Sequence, residues 1–410
     1  MYELSGKYAT AIVYAKEDQE DADLMKKQII GMLDEPMMED LRVRIMPDCH
    51  AGKGCVIGTT MTIKDKVVPN VVGVDIGCGV LTTKLNVKED EVNFAKLDAL
   101  INEKIPNGTG HISTSIIQHY PELDNLRCPI VNKKAAEMAI GSLGGGNHFI
   151  ELGKDHDGYI YLVIHTGSRH LGFEVAKWYQ SQGYEDRCAE EKGGSCRDLT
   201  NALIADLKSR GEEQRIEAEI KKLRSEYFRF LNVKKDLAYI DGQRFNDYIN
   251  DMGIIQKMAA LNRKTITNTI MTGMGWDSSE SFDTIHNYID LDHMILRKGA
   301  VAAYENQKLI IPMNMRDGSL ICIGKGNEDW NCSAPHGAGR IVSRREARRR
   351  FNVKDYQDAM EGIYTTTANG ATLDECPMAY KPMDDILSEV NPTIDIVDTI
   401  TPIYNFKARD

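Results

Sequence analysis

Several short segments of this sequence place metal-binding atoms beside glycine. In Val74-Asp75-Ile76-Gly77-Cys78-Gly79 a carboxylate and a thiol stand three residues apart on a glycine-flanked turn after an apolar run. A carboxylate oxygen beside a soft thiolate suits a borderline divalent ion such as Mn, Fe, Co or Zn better than Ca or Mg. Either residue alone reads more simply as a turn aspartate or a buried cysteine. Gly144-Gly145-Gly146-Asn147-His148-Phe149-Ile150-Glu151 and Val163-Ile164-His165-Thr166-Gly167-Ser168-Arg169-His170 each set a histidine at the edge of a strand-like run. Imidazole is the commonest transition-metal ligand, and Asn147 and Glu151 offer His148 polar partners that a core histidine would not need. Ile285-His286-Asn287-Tyr288 adds a further histidine, preferred over His293 because Asn287 gives it polar company. Asp75, Cys78, His148, His165 and His286 with one central thiolate suffice for two ions, the arrangement of two-metal phosphoryl-transfer sites. A closed structural zinc site would want more cysteines.

Pro335-His336-Gly337-Ala338-Gly339-Arg340 differs in kind. Its histidine has little bulk beside it, so a phosphate is free to approach the ring. A neutral imidazole attacks phosphorus if its other nitrogen is held and cations take up the developing charge. The simpler reading is an anion-binding loop with a bystander histidine. In Pro47-Asp48-Cys49-His50-Ala51-Gly52-Lys53, Asp48 and His50 alternate along a strand-like run, share a face and suit a supporting or proton-transfer role; turn chemistry also accounts for Pro47-Asp48. No GxxxxGK[ST] sequence is present, and no GxGxxG follows a strand in a βαβ context.

The elements that must position these groups are mixed. The pattern predicts strands over 8–15, 42–46, 55–63, 67–74, 79–87, 159–165, 308–313 and 319–323. It predicts a helix over 20–34 with Leu24, Met25, Ile29, Met32 and Leu33 on one side, and a charged helical hairpin over 198–231 projecting from the core. Without a regular βαβ rhythm the expected fold is α+β. Candidate ligands scattered along all 410 residues point to one large domain, 1–410, with the hairpin as an insertion. A hydrophobic fraction of 42% excludes a disordered chain. Nine cysteines without repeated spacing read as free thiols, and no signal pattern or long apolar run appears, so a cytoplasmic protein with no membrane contact is expected. The net charge of -11 argues against non-specific coating of nucleic acid. The one basic cluster is Arg340, Arg344, Arg345, Arg348, Arg349 and Arg350, several of them spaced to share a helix face, where a solvated surface is the competing reading.

Taken together and in order, these segments resemble the RtcB family of RNA-splicing ligases. The likeness runs from Met46-Pro47-Asp48 through Asp75-Ile76-Gly77-Cys78-Gly79, Gly146-Asn147-His148-Phe149, His165-Thr166-Gly167-Ser168-Arg169 and His286-Asn287 to His336-Gly337-Ala338-Gly339-Arg340, nearly the whole chain. It implies that GTP guanylylates His336 with release of pyrophosphate, that the GMP passes to an RNA 3′-phosphate, and that a 5′-hydroxyl then seals the strand. A 2′,3′-cyclic phosphate end is first opened to the 3′-phosphate, in tRNA splicing or RNA repair. It also implies that Asp75, Cys78, His148, His165 and His286 hold two Mn ions, and that Arg169 and Arg340 hold RNA terminal phosphates. GTP would meet Asn147, Glu151, Ser319, Tyr380 and Lys407 with Gly337, Ala338 and Gly339, and a monomer is expected. The chain departs from the family where Leu296 precedes Arg297-Lys298-Gly299-Ala300, a position usually held by histidine. It also departs in the loop Met313 to Ser319 and after Lys407, which marks a shorter, divergent branch. The rival reading is a two-metal phosphodiesterase that activates water and uses His336 as acid or phosphate clamp.

Overall fold

The computed structural model describes residues 1–17, 21–108 and 119–408. One sheet has six strands, in the order β1 (Tyr2–Ser5), β2 (Thr10–Val13), β3 (Val43–His50), β4 (Ile57–Thr62), β10 (Ile295–Lys298), β9 (Asn287–Asp290). A second has seven, in the order β12 (Lys308–Asn314), β13 (Gly318–Gly324), β15 (Ile394–Lys407), β6 (Phe149–Lys154), β7 (Ile160–Thr166), β5 (Gly79–Leu85), β8 (Ser278–Ile285). A short ladder of β11 (Ala300–Ala302) and β14 (Ser333–Pro335) touches both, through β4 and β3 on one side and β8 on the other. Among the described strands only β2 and β3 pair in parallel, joined by helix Ala22–Leu33, so the fold is α+β.

Strand β7 explains why the seven-stranded sheet is stable at its centre. All seven of its residues are buried. Ile160, Leu162 and Ile164 point into one hydrophobic cluster while Tyr161 and Val163 point into another, as the two-residue period of a strand requires. Helix Gly242–Met274 serves both main cores. Its Tyr248, Met252, Ile255 and Met258 pack under the six-stranded sheet, and Ile266 and Ile270 pack under the seven-stranded one. Truncating any of these to Ala costs about 2–5 kcal/mol by the usual cavity argument.

Two expectations from the sequence need correction. The run 67–74 is not a strand: only Val67 bridges to Ile240, and Pro69–Val72 form a short helix with Pro69 in its first turn, where proline's missing N–H costs nothing. In helix Ala22–Leu33, Met25, Ile29, Met32 and Leu33 are buried but Leu24 faces solvent; the expected start at residue 20 lies outside the described residues. The charged segment forms helices Cys196–Ser209 and Ile216–Tyr227, packed on each other and burying only Thr200, Leu207 and Tyr227. No described helix is long and apolar enough to cross a membrane.

Candidate active site

Strand register brings the metal-binding candidates to one end of the seven-stranded sheet. Gly79 of β5 lies opposite Thr166 of β7 and Ile285 of β8, and Val80 lies opposite His165, so Cys78 sits level with His286 on one side and within two positions of His165 on the other. Phe149 of β6 pairs with His165, which puts His148 at the same edge. The His286 amide donates to the Cys78 carbonyl at 2.9 Å and closes the corner. Cys78 Sγ is 3.5 Å from His148 Nε2 and 3.4 Å from His165 Nε2. Asp75 Oδ2 lies 3.1 Å from His148 Nε2, and His286 Nε2 lies 3.4 Å from His165 Nε2. The thiol is thus at the middle of a row Asp75, His148, Cys78, His165, His286. Gly167 belongs to this geometry because a Cβ there would strike the Asp75 carboxylate.

The donor set fits a transition metal. His148 Nδ1 faces the Leu143 carbonyl at 2.9 Å and His165 Nδ1 faces the Asn147 carbonyl at 3.2 Å, which assigns the protons to Nδ1 and leaves the converging Nε2 atoms as lone-pair donors. Burial, then the neighbouring imidazoles, hold His165 and His286 well below the usual histidine range, so both are neutral. Burial, then the Asp75 carboxylate, push the Cys78 thiol well up. Neutral nitrogens and a thiol at these separations form a site that a cation completes by displacing the thiol proton. Cys78, His148 and His165 form the tightest trio, their ligand atoms within 4.8 Å of one another.

A second cluster joins the six-stranded sheet to the loop after β14. His336 follows β14, and its Nδ1–H donates to Asp48 Oδ2 of β3 at 2.6 Å, with the His336 amide on the same oxygen at 3.2 Å. Asp48 is fully buried, so the bond fixes both the ring's tautomer and its orientation. Nε2 is left with its lone pair, and the ring centroid stands 5.1 Å from that of His286. Gly339 (φ 73°) lets the loop after His336 press on the Asp48 carbonyl, where any Cβ would collide. His50 lies two residues along β3 and its Nδ1 faces the Asp48 carbonyl at 3.1 Å; burial holds its ring down to about 4.

Both clusters open into one cavity of about 400 Å³, a size suited to a small-molecule ligand. Asn147, Glu151, Ser319, Gly337, Ala338, Gly339, Arg340, Tyr380 and Lys407 all line it, as do His50, Asp75, Cys78, His165 and His286. Ser319 Oγ and Glu151 Oε1 are buried without a hydrogen-bond partner, the state of groups shaped for a ligand. Burial raises the Glu151 carboxyl to about 8, against the pull of its Asn405 hydrogen bond. Glu375, foreseen by no motif, gathers the cations of this wall. It accepts from Arg340 Nη1 at 3.1 Å, Arg344 Nη1 at 2.9 Å, Lys407 Nζ at 2.9 Å and the Tyr380 hydroxyl at 2.5 Å. Burial alone would raise it, but Lys407, Arg344 and Arg340 outweigh that and hold it down to about 2.

Several expectations shift in detail. The partner of the His148 ring is the Leu143 carbonyl rather than Asn147 or Glu151, because strand pairing points the Glu151 side chain to Asn405. Arg169 donates to the Gly108 carbonyl at 2.8 Å and Ser142 Oγ at 3.1 Å, from a backbone with φ 59° that a non-glycine residue rarely adopts. The arginine cluster divides: Arg340 precedes helix Arg344–Arg350, while Arg344 and Arg348 turn to Asp374. His293 stays outside the site, against Asp290. Arg263 carried no signal at all. From the middle of helix Gly242–Met274 its buried guanidinium holds Asp283 and donates to the carbonyls of Gly77 at 2.8 Å and Thr166 at 2.9 Å, fixing the Cys78 turn against β7.

Comparison with known proteins agrees with this geometry. A family model described as "tRNA-splicing ligase RtcB" matches residues 36–128 and 123–408. The chain is similar to the RNA-splicing ligase RtcB of Escherichia coli K12, 28% identical over 93% of each chain. It is also similar to the tRNA-splicing ligases RtcB of Archaeoglobus fulgidus, 27% identical over 85% of this chain and 83% of the relative, and of Aeropyrum pernix, 26% identical over 83% and 82%.

Proposed function

This chain belongs to the RtcB family, and from that premise we propose that it is a GTP- and Mn-dependent RNA ligase. It joins RNA 3′-phosphate or 2′,3′-cyclic phosphate ends to 5′-hydroxyl ends. The observation that carries the reading is the His336 ring, held at Nδ1 by the buried Asp48 carboxylate and placed in one cavity with the cluster of Cys78 and histidines.

Asp48 keeps the His336 Nε2 lone pair free and stabilises the positive charge that forms as the ring attacks phosphorus. His336 Nε2 attacks the α-phosphorus of GTP, the N–P bond forms, and pyrophosphate leaves. The GMP then passes to an RNA 3′-phosphate, giving an RNA-3′-pp-G end that a 5′-hydroxyl displaces. Asp75, Cys78, His148, His165 and His286 would hold two Mn ions. Such ions supply Lewis-acid charge that polarises phosphoryl oxygens. Around the nucleotide, Lys407, Arg340 and Arg344 give the wall positive charge. Asn147, Glu151, Ser319 and Tyr380 supply polar contacts, and Gly337, Ala338 and Gly339 keep the approach to His336 unobstructed. Arg169 and Arg340 would meet RNA end phosphates, with guanidinium geometry suited to them.

Incubation of the purified protein with Mn and two RNA strands, one ending in 3′-phosphate and one beginning with 5′-hydroxyl, tests this. Sealing that requires GTP is expected. Cleavage of cyclic ends without GTP-dependent sealing would favour a two-metal phosphodiesterase.

A further inference from the structure

Asp48 orients two histidines, only one of which the proposed guanylyl transfer uses. Its carboxylate takes the Nδ1–H of His336 at 2.6 Å, and its main-chain carbonyl faces Nδ1 of His50 at 3.1 Å. The backbone that carries it is pinned on both sides, since buried Lys381 Nζ donates to the carbonyls of Pro47 at 3.1 Å and Cys49 at 2.9 Å. The loop beyond is tied too, with Gln28 bonded to both the carbonyl of Gly52 at 2.7 Å and its amide at 3.1 Å. Such anchoring is more than a surface histidine needs. With Nδ1–H given to a carbonyl, the neutral His50 ring keeps its lone pair on Nε2. His50 lines the same cavity as His336, together with Lys53, Asn70 and Lys298. Lys298 Nζ is spent on two carbonyls, of Lys53 and Asn70, and Asp236 stands against Lys53 at 3.8 Å. That stretch of wall suits the phosphates of an incoming strand.

We infer that His50 is the proton acceptor for the RNA 5′-hydroxyl in the sealing step, an assignment that rests on the ligase reading above. In that step the 5′-oxygen forms a bond to the phosphorus of the 3′ end and the bond from that phosphorus to GMP breaks, its electron pair leaving on the GMP phosphate. The hydroxyl proton passes to His50 Nε2. His336 and His50 then divide the work, one carrying the guanylyl group and the other the proton, and one residue holds both in place.

The test uses the full-length protein with RNA already bearing a 3′-pp-G end, and acceptor strands that begin with either a 5′-hydroxyl or a 5′-thiol. His50→Asn keeps a donor toward the Asp48 carbonyl and removes the basic nitrogen; His50→Gln is the second variant. Sealing of the hydroxyl strand should fall by about 100-fold or more, the usual worth of a general base. Sealing of the thiol strand should fall less than about five-fold, because a thiol ionises near pH 8.5 without help. Labelling of His336 by GTP should stay within about three-fold of the parent, which also reports an intact fold. Equal loss with both acceptors, or no loss with the hydroxyl, overturns the assignment. A parent protein that takes no label from GTP removes the ligase reading and this proposal together, whereas a labelled parent with equal responses sinks only His50.

Discussion

The Asp48 carboxylate and the His336 ring meet at 2.6 Å across 288 residues of chain, joining a strand of the six-stranded sheet to the loop after β14. Asp48→Asn keeps the size but allows an amide N–H to face Nδ1, which forces the proton onto Nε2. Guanylylation should then fall by about 10²- to 10⁴-fold, as removal of a ring-orienting carboxylate does elsewhere. A labelling rate close to the parent's would mean that the contact holds the fold rather than the tautomer.

Cys78 is the centre of the ligand row, so Cys78→Ala should lose metal from both sides of it. Metal analysis of the purified variant is expected to give near-background Mn after incubation with Mn, with guanylylation and sealing both lost. Because the thiol is held well above its ordinary range, metal uptake must release its proton, and affinity should rise with pH. Calorimetry in buffers of different ionisation enthalpy reads that proton directly; uptake with no proton release would contradict it.

Glu375 offers a pH signature. Its carboxyl drops from an ordinary 4.5 to about 2 in the folded protein. A depressed carboxyl contributes stability that is present above the unfolded value and lost as pH falls through the folded one. The contribution is roughly 3 kcal/mol, fading between about pH 5 and 2. Glu375→Gln should therefore lower Tm at pH 7, and the gap to the parent should narrow as pH approaches 2. A gap that does not change with pH would assign the loss to packing.

On helix Arg344–Arg350 the pair Arg344 and Arg348 is paired with Asp374, while Arg345 and Arg349 one position on are exposed. The outer pair is expected to meet RNA backbone. Replacing both by Ala should weaken RNA binding and flatten its dependence on log salt by up to about 1.4, with GTP labelling unchanged. An unchanged salt slope would make this face simply solvated.

Much of the site's membership is visible in one dimension because glycine flanks it. The segments around Asp75, Cys78, His148, His165 and His336 carry glycines, and the structure brings these residues together at strand ends. What holds them is less visible. Arg263 sits mid-helix in an ordinary amphipathic pattern, and its contacts to Gly77 and Thr166 lie 186 and 97 residues away. Lys381 reaches Pro47 over 334 residues, and Glu375 has no periodic setting at all. The α+β character followed from mixed periodicities. The run 67–74 misled because its β-branched residues fit a strand until Pro69 and buried packing curl it into a turn of helix.

The central claim is a covalent one, and incubation with Mn and GTP labelled at the α-phosphate, followed by denaturing electrophoresis, addresses it most directly. An acid-labile, alkali-stable label on the protein, lost in His336→Ala while that variant still binds metal, is the predicted result. A label that persists in His336→Ala, or no label with any divalent metal, would contradict the account.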